Sequence, residues 1–254
     1  MAQESRRVFI TGGGSGIGLA TAKVFATQGF QVVLAGRDGD RLASALADLP
    51  AGTSAVPMDV TDEASVARAF DGLAADDLMP DILINNAGAA KTAPLHRTSL
   101  GDWNAMLAVN LTGAFLCARA AVPHMKAQGF GRIITVASTA GLKGYAYTAA
   151  YSAAKHGVIG MTRSLALELA GSGVTANAVC PGFTDTDIVS SSVSNIVEKT
   201  GRSAEDAVRE LTKHNPEGRL IRPEEVADAI LWLARSESAS LNGQAIAVAG
   251  GEVM

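Results

Sequence analysis

Short β-branched runs, each bounded by turn residues and followed by an alanine-rich segment with helical periodicity, recur along the whole sequence. They are Arg7 to Thr11, Gln31 to Ala35, Ser54 to Pro57, Asp81 to Ile84, Arg132 to Ala137, Val174 to Val179 and Gln244 to Val248. A strand with one wet face alternates apolar and polar residues, but most of these runs are continuously apolar, the mark of strands covered on both faces. The expected fold is therefore α/β, a doubly wound parallel sheet with helices on each side. No Gly/Ser/Pro linker, internal repeat or low-complexity tract divides residues 1–254, which points to one domain. The alternation lapses only in residues 183–222. Two short amphipathic pieces lie there, one with Ile188, Val193, Ile196 and Val197, the other with Ala204, Ala207, Val208 and Leu211. Because this region follows a strand that should end at the ligand crevice, it reads as a substrate loop or lid; a surface helical hairpin is the alternative.

Composition excludes several partners. With 18% charged residues and a net charge of -4, the chain carries no basic field to attract a nucleic-acid backbone or an anionic membrane surface. The start lacks the apolar run and cleavage site of a signal peptide, and no stretch approaches the roughly 20 uninterrupted apolar residues of a membrane span, so a cytoplasmic protein is expected. Cys117 and Cys180 lie in apolar surroundings without metal-ligand spacing and are expected to be reduced packing residues. His96, His124 and His214 are scattered, and no metal site is expected.

Two local patterns carry chemistry. Directly after the first run stands Thr11-Gly12-Gly13-Gly14-Ser15-Gly16-Ile17-Gly18, and a helical pattern begins there with Ile17, Ala20, Thr21, Val24 and Phe25. Glycines at 12, 16 and 18 let the backbone turn tightly and approach a pyrophosphate, whose charge the helix N-terminus meets. The second is Ala150-Tyr151-Ser152-Ala153-Ala154-Lys155, opening a helix that runs on through Val158, Thr162, Leu165 and Leu169. Four-residue spacing stacks the Tyr151 phenol and the Lys155 ammonium on one helix face. A phenol is a poor base at neutral pH, and a neighbouring ammonium is expected to favour its phenolate.

The Gly-x-x-x-Gly-x-Gly spacing, Asn85-Asn86-Ala87-Gly88 after the fourth strand and the Tyr151/Lys155 pair together resemble the short-chain dehydrogenase/reductase family, over nearly the whole chain. The resemblance implies a Rossmann-type fold and assigns roles. Gly12, Ser15, Gly16, Ile17 and Gly18 would hold the dinucleotide; Asp59 and Val60 would touch adenine; Asn86, Ala87 and Gly88 would steady the sheet beside the cofactor. Pro181, Gly182 and Thr186 would meet the nicotinamide amide. Ser138, beyond the fifth strand, would bind the reacting oxygen, Asn110 would hold a water in a proton relay to Lys155, and Lys155 would also bind the nicotinamide ribose. Where NAD-specific members carry a carboxylate, this chain has Gly36, followed by Arg37, which can pair with a 2′-phosphate. NADP(H) is therefore the expected cofactor, with NAD(H) as the alternative through Asp38.

The implied activity is hydride transfer between a nicotinamide and a ketone or secondary alcohol. Ala178 to Phe183 and Ser152 to Gly157 resemble the 3-oxoacyl-thioester and polyketide ketoreductase branches, although Ala89-Ala90-Lys91 replaces the Pro-Gly-Gly of some polyketide ketoreductases. A 3-oxoacyl thioester or similar β-keto compound is thus the expected substrate. A free secondary alcohol or hydroxy acid, aryl or cyclic, is the alternative; a dinucleotide sensor would not need the full Ser, Tyr, Lys and Asn set. Lys199, Arg202, Arg209 and Lys213 would meet coenzyme A phosphates or an acidic carrier, or form a solvated helix surface. Tyr145 and Tyr147 are expected in the pocket wall. The helices expected over 110–128 and 152–170 are apolar over more than one face, with small residues at Ala114, Ala118, Ala121, Ala153, Gly157 and Gly160, which implies a homodimer or homotetramer.

Overall fold

The structure, a computed structural model, describes residues 6–253, the side chain of Lys199 excepted. The chain runs β1 (Arg7–Thr11), α1 (Gly16–Thr27), β2 (Gln31–Gly36), α2 (Gly39–Ala47), β3 (Ser54–Pro57), α3 (Glu63–Ala75), β4 (Ile82–Asn85) and α4 (Leu100–Leu107). It continues through α5 (Gly113–Gln128), β5 (Gly131–Val136), α6 (Ala149–Glu168), β6 (Val174–Pro181), α7 (Asp187–Thr200), α8 (Ala204–Thr212), α9 (Pro223–Ala234) and β7 (Ala245–Val248). Each of the seven expected strands forms within two residues of its expected bounds. All are parallel, in the spatial order β3-β2-β1-β4-β5-β6-β7.

Continuous apolarity works as expected: successive residues of one strand enter different cores. Phe9 of β1 packs with Leu83, Ile133, Phe70 and Leu116, on the side of α3 and α5. Its neighbours Val8 and Ile10 pack with Ile84, Ile134, Phe25 and Ile230, on the side of α1 and α9. Each such fully buried side chain contributes about 1.5–3 kcal/mol relative to exposure, so the two apolar layers together hold the sheet in register. Cys117 and Cys180 are both buried free thiols, and burial pushes them up to about 12 and about 11, so both stay protonated.

Two regions take shapes the residue pattern left open. The helix expected to start near Asn110 begins earlier, at Leu100, and passes through a π-helical turn, Ala108–Thr112, between α4 and α5. The 29-residue stretch Leu100–Gln128 is apolar and long enough to cross a bilayer by length and composition. Close to half of its most apolar 18-residue window is buried, and α5 lies against α3, β4 and β5 as a layer of this fold. Within residues 183–222, α7 and α8 pack on each other as a helical hairpin. Its base is pinned beside β6 by a bridge between Thr184 and Ile221.

The sheet reverses its winding between β1 and β4, and the loops leaving these two strands part to form a crevice at their carboxyl ends. A buried hydroxyl ties the two loops together. Thr11 Oγ1 accepts from the backbone N–H groups of both Asn86 and Ala87 at 3.0 Å, and the Asn86 amide returns the tie by donating to Thr11 O at 2.9 Å and Gly12 O at 3.0 Å. Replacing Thr11 with valine keeps the shape and orphans two N–H donors. A loss of about 2 kcal/mol or more is expected, read as a lower urea midpoint at unchanged slope.

Candidate active site

The dinucleotide cradle starts from the glycines. Gly12 and Gly16 adopt φ of +63° and +51°, the left-handed region that side chains disfavour. Gly18 is needed for closeness instead: a Cβ there would stand 2.3 Å from Gly12 O and 2.6 Å from the Asn86 amide nitrogen. Ser15 is the N-cap residue of α1 yet makes no capping bond, and the first helical turn, with Ile17, carries no acidic side chain. The orphan N–H groups of α1 and its dipole therefore face the turn without a competing carboxylate, which fits a pyrophosphate.

Arg37 is exposed at the end of β2. Its charge reaches Asp59, whose carboxyl sits below its ordinary value; burial pushes it up, but hydrogen bonds from the Thr61 N–H and hydroxyl, with Arg37, outweigh that. Val60 is buried and abuts Gly113, where a Cβ would meet it at 2.8 Å. The Asp38 carboxylate caps α2, accepting from Arg41 N at 3.0 Å. On the opposite wall, Pro181 ends β6, Gly182 donates to Val248 O at 3.0 Å, and Thr186 begins α7 with a methyl 3.0 Å from a Cβ built on Gly16. Thr186 thus approaches the glycine turn across the crevice, while Pro181 and Gly182 lie against β7.

At the end of β5, Ser138 opens a short turn, Thr139–Gly141, and its Oγ accepts from Ala140 N at 3.1 Å. That turn lies tightly on α6, for a Cβ on Gly141 would stand 2.7 Å from Lys155 O. The contact brings Ser138 to the face of α6 that carries Tyr151 and Lys155, where its hydroxyl acts to lower the pKa of the Tyr151 phenol. Lys155 is buried, donates from Nζ to Val136 O at 2.8 Å, and has its ammonium 5.6 Å from the Tyr151 ring centre. Asn110 sits in the π-helical turn, and its amide donates to Ala89 O at 2.8 Å and Met106 O at 3.0 Å while accepting from Ala89 N at 3.3 Å. It thereby fastens the loop after β4, leaving Gly88 between its own Oδ1 and Lys155 Nζ, 2.8 and 3.6 Å from a built Cβ.

Burial pushes the Tyr151 phenol above its ordinary value, and the bond from Ser138 pulls only part of the way back. Loss of hydration disfavours the phenolate, so the phenol keeps its proton at neutral pH. The same burial lowers Lys155 to about 8.

Among the remaining candidates, Tyr145 is half-buried and Tyr147 exposed with a φ of +67°. Arg202, Arg209 and Lys213 each pair with an acidic residue of the same hairpin, the pattern of a solvated helix surface; the Lys199 side chain lies outside the described residues. Two contributors were not singled out from the sequence. Thr11 stood inside the quoted glycine string, and its place at a strand end was the available signal. Arg41, four residues after Arg37, lays its stem over Gly14 and places Nη1 3.3 Å from Ser15 Oγ and 3.1 Å from Asp187 Oδ2.

The chain is similar to known proteins over most of its length. The family model described as short chain dehydrogenase matches residues 6–196. The cis-4-hydroxycyclohexanecarboxylate dehydrogenase of Sinomonas cyclohexanicum is 41% identical over 97% of this chain and 96% of its own. The 3-oxoacyl-(acyl-carrier-protein) reductase of Thermotoga maritima is 36% identical over the full length of both. Among solved structures, an actinorhodin polyketide ketoreductase with NADPH superposes with a TM-score of 0.93 at 32% identity, covering 99% of this chain and 98% of that one. The chain belongs to the short-chain dehydrogenase/reductase family, as a nicotinamide-dependent oxidoreductase acting on a CH–OH/C=O centre.

Proposed function

We propose that this chain reduces the keto group of a 3-oxoacyl thioester or similar β-keto compound with NADPH, at a site formed by Ser138, Tyr151, Lys155 and Asn110. The observation that carries this reading is the convergence of the Ser138 hydroxyl, the protonated Tyr151 phenol and the buried Lys155 ammonium on one face of α6. Gly12, Ser15, Gly16, Ile17, Gly18, Asp59, Val60, Asn86, Ala87, Gly88, Pro181, Gly182 and Thr186 would hold the dinucleotide and Tyr151 and Lys155 would bind its ribose; when bound, it would supply the hydride for the carbonyl carbon.

Ser138 orients the carbonyl oxygen and donates to it as negative charge grows there. Tyr151 delivers the proton to the same oxygen. Lys155, anchored on Val136 O, offsets the charge left on the phenolate, and Asn110 keeps the loop of Gly88 and Ala89 against the ammonium. Alcohol oxidation runs these transfers in reverse. The hairpin within 183–222, part of one domain spanning residues 1–254, covers the substrate side. A hydroxy acid on a ring is the second reading, favoured by the identity with the cyclohexanecarboxylate enzyme.

The NADP(H) preference rests on two guanidinium groups, Arg37 at the end of β2 and Arg41 beside Ser15, with Asp38 engaged as a helix cap. Assembly into a homodimer or homotetramer would cover Phe115 of α5 and Leu167 of α6, which are 44% and 81% exposed.

Tyr151→Phe should remove turnover and keep dinucleotide binding, and the wild-type reduction rate should fall as pH rises through about 8, where Lys155 loses its charge. Activity above a few per cent in the variant would refute the assignment, and faster turnover of 4-oxocyclohexanecarboxylate than of 3-oxoacyl thioesters would favour the second reading. Steady-state kinetics should show NADPH preferred over NADH. Arg37→Ala and Arg41→Ala should each raise KM for NADPH about tenfold, the value of one charge-assisted bond, with NADH little changed. Light scattering at micromolar concentration should give a dimer or tetramer mass; a monomer would contradict the assembly.

A further inference from the structure

The tail beyond β7 brings a carboxylate back into the protein. Gly250 and Gly251 take φ of +60° and +88°, and this left-handed pair turns the chain so that Glu252 faces the carboxyl end of the sheet. The Glu252 side chain is only 2% exposed. Burying a carboxylate is costly unless it is paired and hydrogen-bonded, and here it is both. Lys143 Nζ lies 3.1 Å from Oε1, and the Tyr145 hydroxyl donates to the same oxygen at 2.6 Å. The Oε2 atom stands 3.3 Å from a Cβ built on Gly182.

The network runs onward to the carbonyl site. The Tyr145 oxygen lies 2.7 Å from Thr139 Oγ1, and Thr139 is the residue after Ser138, in the turn that rests on α6. Burial, with Glu252 next, pushes the Tyr145 phenol well above its ordinary value, so it remains the donor toward the carboxylate and an acceptor for Thr139. The Tyr145 ring meets Phe183 edge-on at 6.0 Å, with Lys143 Nζ 4.9 Å from the ring centre on another side. Three loops, after β5, β6 and β7, are thus joined at one buried carboxylate. Packed apolar side chains would hold three loops together at lower cost than a buried charge pair. A directional bond to Tyr145 is what the carboxylate adds.

We infer that Glu252 is a positioning residue of the carbonyl site: held by Lys143, it fixes Tyr145, which through Thr139 fixes the turn from which Ser138 projects. This rests on Ser138 and Tyr151 being the reacting site.

The test uses the full chain, the ketone it reduces fastest, and the variants Glu252→Ala, Glu252→Gln, Tyr145→Phe and the Tyr145→Phe/Glu252→Ala double. Both single removals should lower kcat about tenfold, as expected for losing one hydrogen bond to a charged group, with the dinucleotide Kd within about twofold of wild type. The double variant should be no slower than the slower single, because the two residues act in series. Glu252→Gln, which keeps an oxygen to accept from Tyr145, should recover most of the loss. A Glu252→Ala or Tyr145→Phe protein with kcat within about twofold of wild type, or losses that multiply in the double, would overturn the inference. If Glu252→Ala does not fold, Tyr145→Phe and Glu252→Gln decide alone. An inactive Tyr151→Phe beside a fully active Tyr145→Phe would sink only this role of Glu252, whereas an active Tyr151→Phe would remove the site on which it rests.

Discussion

The bond between the Thr11 hydroxyl and the N–H groups of Asn86 and Ala87 holds together the one place where this sheet changes direction. Strands β1 and β4 are neighbours whose connections leave for opposite sides, so their ends would otherwise part with backbone donors unpaired. With the tie in place, the glycine turn and the loop of Asn86 to Gly88 form the two lips of one crevice. The closeness of Gly18 to Gly12 O follows from the same tie, since the Asn86 amide occupies the space between them. Everything assigned to the dinucleotide stands on this junction.

On the other side of the crevice the chemistry is governed by dehydration. Lys155 keeps a donor bond to Val136 O, and burial lowers its hold on its proton. Tyr151 moves the opposite way under the same cause, because a phenolate and an ammonium are both disfavoured when water is removed. A neutral donor beside a cation whose proton is loosely held is a poised arrangement. It suits delivery of a proton to an oxygen that becomes negative only during the reaction.

The parts legible in the sequence are those with strong local physics. Continuous β-branched runs announced a sheet covered twice, and the glycine string at Gly12 to Gly18 and the four-residue spacing of Tyr151 and Lys155 marked the two halves of the site. What stayed hidden depends on distant partners. No local residue announces the π-helical turn around Asn110, whose amide is satisfied by Ala89 far back in the chain. The raised Tyr151 phenol comes from burial, which spacing along a helix does not reveal. The capping bond that Asp38 makes to Arg41 N likewise depends on how α2 begins, which the strand-end sequence alone does not show. Glu252 follows two glycines in a tail without periodicity, and its partners Lys143 and Tyr145 lie more than a hundred residues away.

The turn of Ser138 rests directly on the backbone of Lys155, so α6 both bears Tyr151 and Lys155 and forms the floor under Ser138, the three side chains of the proposed site. Any displacement of that helix carries all three along as one block. The α7 and α8 hairpin, by contrast, is fastened near its ends, by the Thr184–Ile221 bridge, the pair of Arg41 with Asp187, and the packing of Thr186 on Gly16 and of Asn215 on Gly250. Mutations in the hairpin can therefore reshape what enters the crevice while the geometry of proton delivery is inherited unchanged. A lineage built this way can exchange one ketone for another without reinventing its chemistry.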